Sequence, residues 1–200
     1  MNNLERISMN DHGKDFMVVI REHLIRYTFA LQELFGKDVL DVACGTGYGM
    51  YLMSYYAKSV SGYDYNREAL EEARKFSFKC DCCLEERNLE EDKSLTNSKH
   101  EKFDVVTCFE TIEHLSNPGV LLSRIKEIVK PEGFIYLSTP NTGKELKDDN
   151  EWHKYHFNFF TLNDLIKINF DDPHVEIFGQ DQYGLTYDFN KPYIVIKISL

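Results

Sequence analysis

The sequence predicts an α/β fold, a doubly wound and mostly parallel sheet of seven strands that ends in a C-terminal antiparallel hairpin. Three observations carry this. Short apolar runs alternate with segments of helical periodicity, the pattern of a parallel sheet covered by helices. The first run, Val39 to Val42, breaks into a glycine-rich turn, Gly45-Thr46-Gly47-Tyr48-Gly49, and then into a helical pattern. The last two runs have no helix between them and so read as a hairpin.

The elements follow in order. Phe16, Val19, Ile20, Leu24, Tyr27, Leu31 and Leu34 recur at helical spacing over residues 15–35, and Gly36 stops that helix. Strand one is read as residues 38–43, helix A as 46–56 and strand two as 59–63. Helix B starts after Asn66 as its cap and buries Ala69, Leu70 and Ala73. A third strand lies within residues 78–89, and residues 96–102 form a polar loop. Strand four is 103–109. Asn117-Pro118 opens a helix, cap followed by proline, with Val120, Leu121, Ile125, Ile128 and Val129 as its buried stripe. Pro131-Glu132-Gly133 turns into strand five, residues 134–138. Thr161-Leu162-Asn163-Asp164 reads as the start of a last helix, and strands at 175–178 and 193–200 close the chain.

Two hundred residues, 42% of them hydrophobic, suit one globular domain with a sizeable core. It divides into an N-terminal helical cap (1–36), a core that binds a cofactor (37–140) and an acceptor-side segment with the hairpin (141–200). No apolar stretch reaches about 18 residues, and Met1-Asn2-Asn3-Leu4-Glu5-Arg6 lacks a signal-peptide core. The expectation is a cytoplasmic chain, without membrane insertion and without a targeting domain after the last strand. Five cysteines in a chain this large suggest reduced thiols. Cys80-Asp81-Cys82-Cys83 lacks the second ligand pair of a zinc site and reads as packing around a strand. The net charge of −10 opposes sequence-independent nucleic-acid binding, although it leaves room for a local basic groove. The acids at 85–92 and 148–151 read as solvated loops.

The chemistry concentrates in residues 39–49. A strand that breaks into a glycine turn and then a helix lets backbone N–H groups approach a ligand closely. Asp64, at the end of the second strand, stands where a carboxylate accepts ribose hydroxyls. The site therefore suits an adenosine-containing cofactor. It is not the dinucleotide fingerprint, because the third glycine position holds Met50. No Gly-Lys-Ser/Thr follows, so it is not a phosphate loop either.

The Asp41-x-Ala-Cys-Gly-Thr-Gly segment closely resembles the first motif of the class I S-adenosylmethionine-dependent methyltransferases. Asp64, strand four at Phe103–Glu110 and the Lys130–Leu137 turn and strand fall in the family's order. The resemblance covers residues 37–140 and implies the Rossmann-like methyltransferase fold with S-adenosyl-L-methionine as cofactor. It also implies cofactor contacts from Asp41, Ala43, Gly45, Gly47, Asp64, Tyr65, Asn88, Leu89, Phe109 and Glu110. Arg26 in a His-x-x-Arg-Tyr pattern, with His23, resembles members of polysaccharide clusters and implies a fork on the methionine carboxylate.

Methyl transfer from a sulfonium asks mainly for positioning and desolvation, and for a base where the acceptor is a hydroxyl. The Asp/Asn-Pro-Pro-aromatic sequence of amino-methyltransferases is absent after strand four. Glu110-x-x-Glu113-His114 stands there instead. It resembles polyprenyl-quinol and sugar O-methyltransferases, and also small-RNA 3′-terminal 2′-O-methyltransferases, in which two glutamates and two histidines hold a divalent metal. In that second pattern the metal candidates are Glu110, Glu113, His114 and His156. His153 reads as a surface residue, and Trp152, Tyr155 and Phe157 as packing or pocket wall. The favoured expectation is O-methylation of a small hydroxylated acceptor such as a sugar or glycan precursor. His114 is then the base, Glu113 its partner, and no tightly held ion is present. Metal-dependent RNA 3′-end methylation and a non-catalytic S-adenosylmethionine-binding regulatory protein are the alternatives.

Overall fold

The computed structural model describes residues 14–142 and 150–200, with side chains from Val18 onward. The helices are α1 (Lys14–Ala30), α2 (Tyr48–Met53), α3 (Arg67–Ala73), α4 (Pro118–Ile128) and α5 (Phe159–Asn169). The strands are β1 (Asp38–Val42), β2 (Ser59–Asp64), β3 (Asp81–Glu86), β4 (Phe103–Phe109), β5 (Val129–Pro140), β6 (His174–Asp181), β7 (Gly184–Thr186) and β8 (Tyr193–Ser199). They form one sheet in the order β3-β2-β1-β4-β5-β8-β6-β7. The first five run parallel, and β8 enters antiparallel between β5 and β6.

This is the doubly wound sheet expected, with an eighth strand added. β7 is three residues long and pairs with β6 at the edge, too short to leave an alternating pattern. β1 and β2 are buried along their whole length because helices cover both faces. Successive residues feed two cores. Leu40, Val106, Leu121, Ile125, Leu162 and Ile166 join one core, under α4 and α5. Val39, Val60, Val105, Met50, Met53 and Leu70 join the other, under α2 and α3.

Several boundaries differ from the expectation for local reasons. α2 begins at Tyr48 because Gly45 and Gly47 hold φ of 54° and 80°, which is not helical. α5 begins at Phe159, earlier than Thr161. Asn158 is the cap, and Thr161 is its reciprocal partner in a capping box. In α4, Val120 is exposed and Leu122 takes its place in the core. β5 runs through Pro131-Glu132-Gly133 with a register irregularity instead of starting after it. Asn66 and Asn117 cap α3 and α4 as expected.

The largest departure is α1. Val19 and Leu24, two of its expected core residues, are exposed and the Phe16 side chain lies outside the described ones; Tyr27 and Leu34 are buried as expected, and Glu22, Arg26 and Ala30 are buried beside them. The helix faces the end of the sheet, and its inward stripe carries charge. All five cysteines are free, and Cys80 and Cys82 pack against the core. Asp148 and Asp149, within the second acidic cluster, lie outside the described residues. Among the described residues no helix is long and apolar enough to cross a membrane.

Gly49 shows what seats α1 on α2. A Cβ there would lie 2.0 Å from the Tyr27 ring. Gly49→Ala should therefore cost about 1–3 kcal/mol in urea unfolding, as over-packing does. On a Tyr27→Ala background the cost should largely vanish. An undiminished cost there would show that the ring is not the obstacle.

Candidate active site

A cleft of about 680 Å³ opens at the C-terminal ends of β1, β2 and β4. One of its walls is the turn after β1. Ala43 adopts φ 60° and Gly45 φ 54°, which turns the chain away from the strand axis. Asp64 closes that side. Its Oδ2 accepts the Gly45 N–H at 2.9 Å and its Oδ1 the Asn66 N–H at 2.8 Å. Each carboxylate oxygen keeps a second lone pair for a hydroxyl. Tyr65, Asn88, Leu89, Phe109 and Glu110, all expected to touch a cofactor, also line the cleft.

Three expected cofactor residues do not line the cleft; they lie behind its wall. Gly47 is a packing position, since a Cβ there would meet the Ala73 Cβ at 2.6 Å. Asp41 is buried beneath the floor. It accepts hydrogen bonds from Thr107 Oγ1 at 2.6 Å and from the Tyr27 hydroxyl at 3.0 Å. Arg26 is wholly buried beside the cleft residues Glu110 and Tyr193. Its Nη1 lies 3.6 Å from Glu110 Oε1, and its guanidinium sits over the Tyr193 ring at 4.4 Å. Neither Nη nitrogen has a hydrogen-bond partner.

The opposite side is built by a 3₁₀ turn, Ile112–His114, after β4. Glu110 takes φ 47°, and its Oε1 accepts from Ser138 Oγ at 2.6 Å. Glu113 is buried, and its Oε2 accepts from Thr139 Oγ1 at 2.9 Å. Burial first, and the neighbouring Glu110 second, hold its carboxyl well above the usual carboxylate range. Its Oε1 has no hydrogen-bond partner and lies 3.9 Å from His114 Nε2. His114 Nδ1 is 3.3 Å from the Trp152 carbonyl.

His153, expected on the surface, lines the cleft, and its ring centroid is 4.8 Å from that of His114. Ligand-type atoms of Glu113, His114 and His153 lie within 4.8 Å of one another. The expected quartet is corrected accordingly. His156 is exposed and outside the cleft lining, and Glu110 does not join the group. The cause is local. Lys154 and Tyr155 N–H groups both donate to the Glu113 carbonyl, at 2.8 and 3.1 Å, which lays residues 150–155 across the cleft mouth. The sequence held one signal for this, Asn150 three residues before His153, whose amide meets the His153 ring at 3.1 Å.

A family model described as a methyltransferase domain matches residues 20–171. The chain belongs to the class I S-adenosylmethionine-dependent methyltransferases. This methyltransferase is 37% identical over 111 residues to the ubiquinone biosynthesis O-methyltransferase of Actinobacillus pleuropneumoniae serotype 5b, covering 54% of the chain and 47% of that protein. To the protein of the same name from Shewanella pealeana it is 30% identical over 168 residues, covering 78% and 69%. The chain thus spans about half the length of the first of these relatives. Two solved structures share its fold. An S-adenosylmethionine-dependent methyltransferase from Mesorhizobium loti superposes with TM-score 0.70 at 13% identity, over 88% of this chain and 98% of that one. The plantazolicin methyltransferase BpumL, in complex with SAH, superposes with TM-score 0.66 at 17% identity, over 92% and 85%.

The residues present fit the family's cofactor. S-adenosylmethionine carries a ribose diol at one end and a carboxylate at the other. Asp64 offers acceptors inside the cleft, and Arg26, behind the wall formed by Glu110 and Tyr193, carries two buried guanidinium nitrogens without a hydrogen-bond partner. Asp64→Ala should weaken S-adenosylhomocysteine binding by about 1.5–3 kcal/mol in calorimetry, the loss of hydrogen bonds to a charged group. Unchanged affinity would remove Asp64 from the ribose site.

Burial pushes the Asp41 carboxyl up to about 7, against the hydrogen bonds from Thr107 and Tyr27. A raised folded-state value means that the folded protein holds a proton the unfolded chain has released. This contribution is therefore complete below about pH 4 and is lost as pH rises to 7, at up to about 1.4 kcal/mol per pH unit. Asp41→Asn should flatten the fall in unfolding free energy between pH 5 and pH 7. An identical slope in the variant would show that Asp41 titrates normally.

Proposed function

We propose that this methyltransferase methylates a hydroxyl oxygen of a small acceptor, with His114 as the general base. The supporting observation is that His114 and Glu113 line the same cleft as Asp64 and Gly45. S-adenosylmethionine supplies an electrophilic methyl group on a sulfonium. Asp64 would hold the ribose and Arg26 the carboxylate. With an acceptor hydroxyl presented to that methyl group, the His114 imidazole would take the proton that the oxygen gives up. The Glu113 oxygen 3.9 Å from Nε2 then faces the imidazolium. Trp152, over the mouth, and the apolar cleft walls exclude water.

The sequence pattern suggested a sugar or glycan precursor. The named relatives point instead to a precursor of a quinone, and the flat walls of Tyr27, Phe109, Trp152 and Tyr193 suit an aromatic ring. The proposed acceptor is therefore a ring hydroxyl of the quinol type. Such a hydroxyl has a pKa near 10 by analogy with tyrosine, within reach of an imidazole base.

One observation favours a second reading. Glu113, His114 and His153 form a carboxylate-and-imidazole group suited to a divalent ion, which would bind the acceptor oxygen side of the cleft and would place the burial penalty of Glu113 in a different light. RNA 3′-end methylation is the metal-dependent form of this reading.

Turnover with S-adenosylmethionine on a quinol, a free sugar and an RNA 3′ end, each with and without EDTA, tests these readings. The quinol should be methylated in EDTA. His114→Ala should lower that rate by about 10²–10⁴, the usual share of a general base, with S-adenosylhomocysteine affinity unchanged. Turnover abolished by EDTA would replace the base mechanism with the metal one. Turnover on the sugar alone would restore the glycan acceptor.

A further inference from the structure

Gln180 is a fully buried polar side chain on β6 that the chemistry above does not use. We infer that Gln180 is a positioning residue for the cofactor's amino-acid end, holding Arg26 so that both Nη nitrogens face an incoming carboxylate. The inference rests on the reading that the cleft takes S-adenosylmethionine.

Both ends of the Gln180 amide are engaged. Its Oε1 accepts from Arg26 Nε at 2.8 Å, and its Nε2 donates to the Glu22 carbonyl at 2.8 Å. Glu22 and Arg26 lie one turn apart on α1. One side chain of the sheet thus grips the helix backbone and the arginine together, and the orientation of its amide follows from the two partners. Tyr193 is the cross-strand partner of Gln180 in the β6–β8 register, and its ring covers a face of the guanidinium. The Nε edge and one face of Arg26 are therefore taken. The Nη edge remains, buried and without a hydrogen-bond partner.

Glu110 and Glu22 supply charge but not hydrogen bonds. Glu110 stands 3.6 Å from Nη1, while its Oε1 accepts from Ser138, and Glu22 feels Arg26 only through space. A guanidinium presenting two parallel N–H donors matches a carboxylate in a bidentate pair. Leaving those donors unmet while buried is costly, so a ligand that reaches them recovers the cost. A flexible arginine would lose that geometry, and Gln180 prevents it.

The test compares two ligands, S-adenosylhomocysteine and 5′-methylthioadenosine, which share the nucleoside and thioether but differ in the amino-acid carboxylate. In the wild type the first should bind tighter. Gln180→Met, similar in length but unable to accept from Nε, should weaken S-adenosylhomocysteine by about tenfold, the scale of one charge-assisted hydrogen bond. Methylthioadenosine should be unaffected. Gln180→Leu is the second variant if the thioether disturbs the fold. Arg26→Met should abolish the preference, and adding Gln180→Met to it should change nothing more. Equal weakening of both ligands, or additive losses in the double variant, would make Gln180 a merely structural residue. A wild type that binds neither ligand would instead remove the cofactor reading beneath the inference.

Discussion

The carboxyl group of Asp41 lies under the floor of the cleft, held by one hydroxyl from α1 and one from β4. Much of the site depends on this clasp. The Tyr27 ring that reaches Asp41 also lies over Gly49, so the same side chain ties the clasp to the contact between α1 and α2. The same ring stands edge-on to Phe109 at the end of β4 and to Tyr48 at the start of α2. Because α1 is seated in this way, Arg26, one residue before Tyr27, is brought beside Glu110 and Tyr193. The glycine turn above the clasp is fixed in turn by Asp64, which binds its first glycine N–H.

The wall around Gly45 and Asp64 was legible in the sequence because it is made by contiguous chain, although Asp41, Gly47 and Arg26, expected there too, lie behind it. The strand, the turn and the next strand's carboxylate have fixed spacings, and Asp64 and Gly45 meet as those spacings require. The acceptor half was only partly legible. Glu113 and His114 follow β4 directly, but the third member of their group comes from residues that cross the cleft through backbone hydrogen bonds to the Glu113 carbonyl. No periodicity marks such a crossing, so His153 reads as surface, and His156 stands in its place among the metal candidates of the alternative reading. The helix α1 misled for a different reason. Its apolar spacing found Tyr27 on the buried face but not Glu22 and Arg26 beside it, which meet Gln180 and Tyr193. Local pattern and tertiary role disagree there, as they do where a fold serves a ligand.

Among the described residues four that are not glycine hold positive φ, and two of them flank the cleft, while Glu132 and Asp172 lie away from it. Ala43 and Glu110 both hold positive φ without being glycine, and each follows the end of a central strand, β1 and β4. A residue in that region costs of order 1–3 kcal/mol and persists only where its surroundings impose it. The Cys44 N–H donates to the Tyr63 carbonyl after the first bend, and the Glu110 N–H to the Ser138 carbonyl at the second. The two bends turn the chain outward on either side of the cleft, and so set the wall of Gly45 and Asp64 apart from the wall of Glu113 and His114.

The central claim is that one cleft holds the donor between Asp64 and Arg26 and presents its sulfur to His114. A crystal structure of the protein with S-adenosylhomocysteine tests it most directly. The account predicts the ribose hydroxyls on Asp64 and the carboxylate on both Arg26 Nη atoms at about 3 Å. It also predicts the sulfur on the side of the cleft that carries Glu110 and His114. A ligand whose homocysteine tail leaves the cleft without meeting Arg26, or whose sulfur points away from His114, would contradict it.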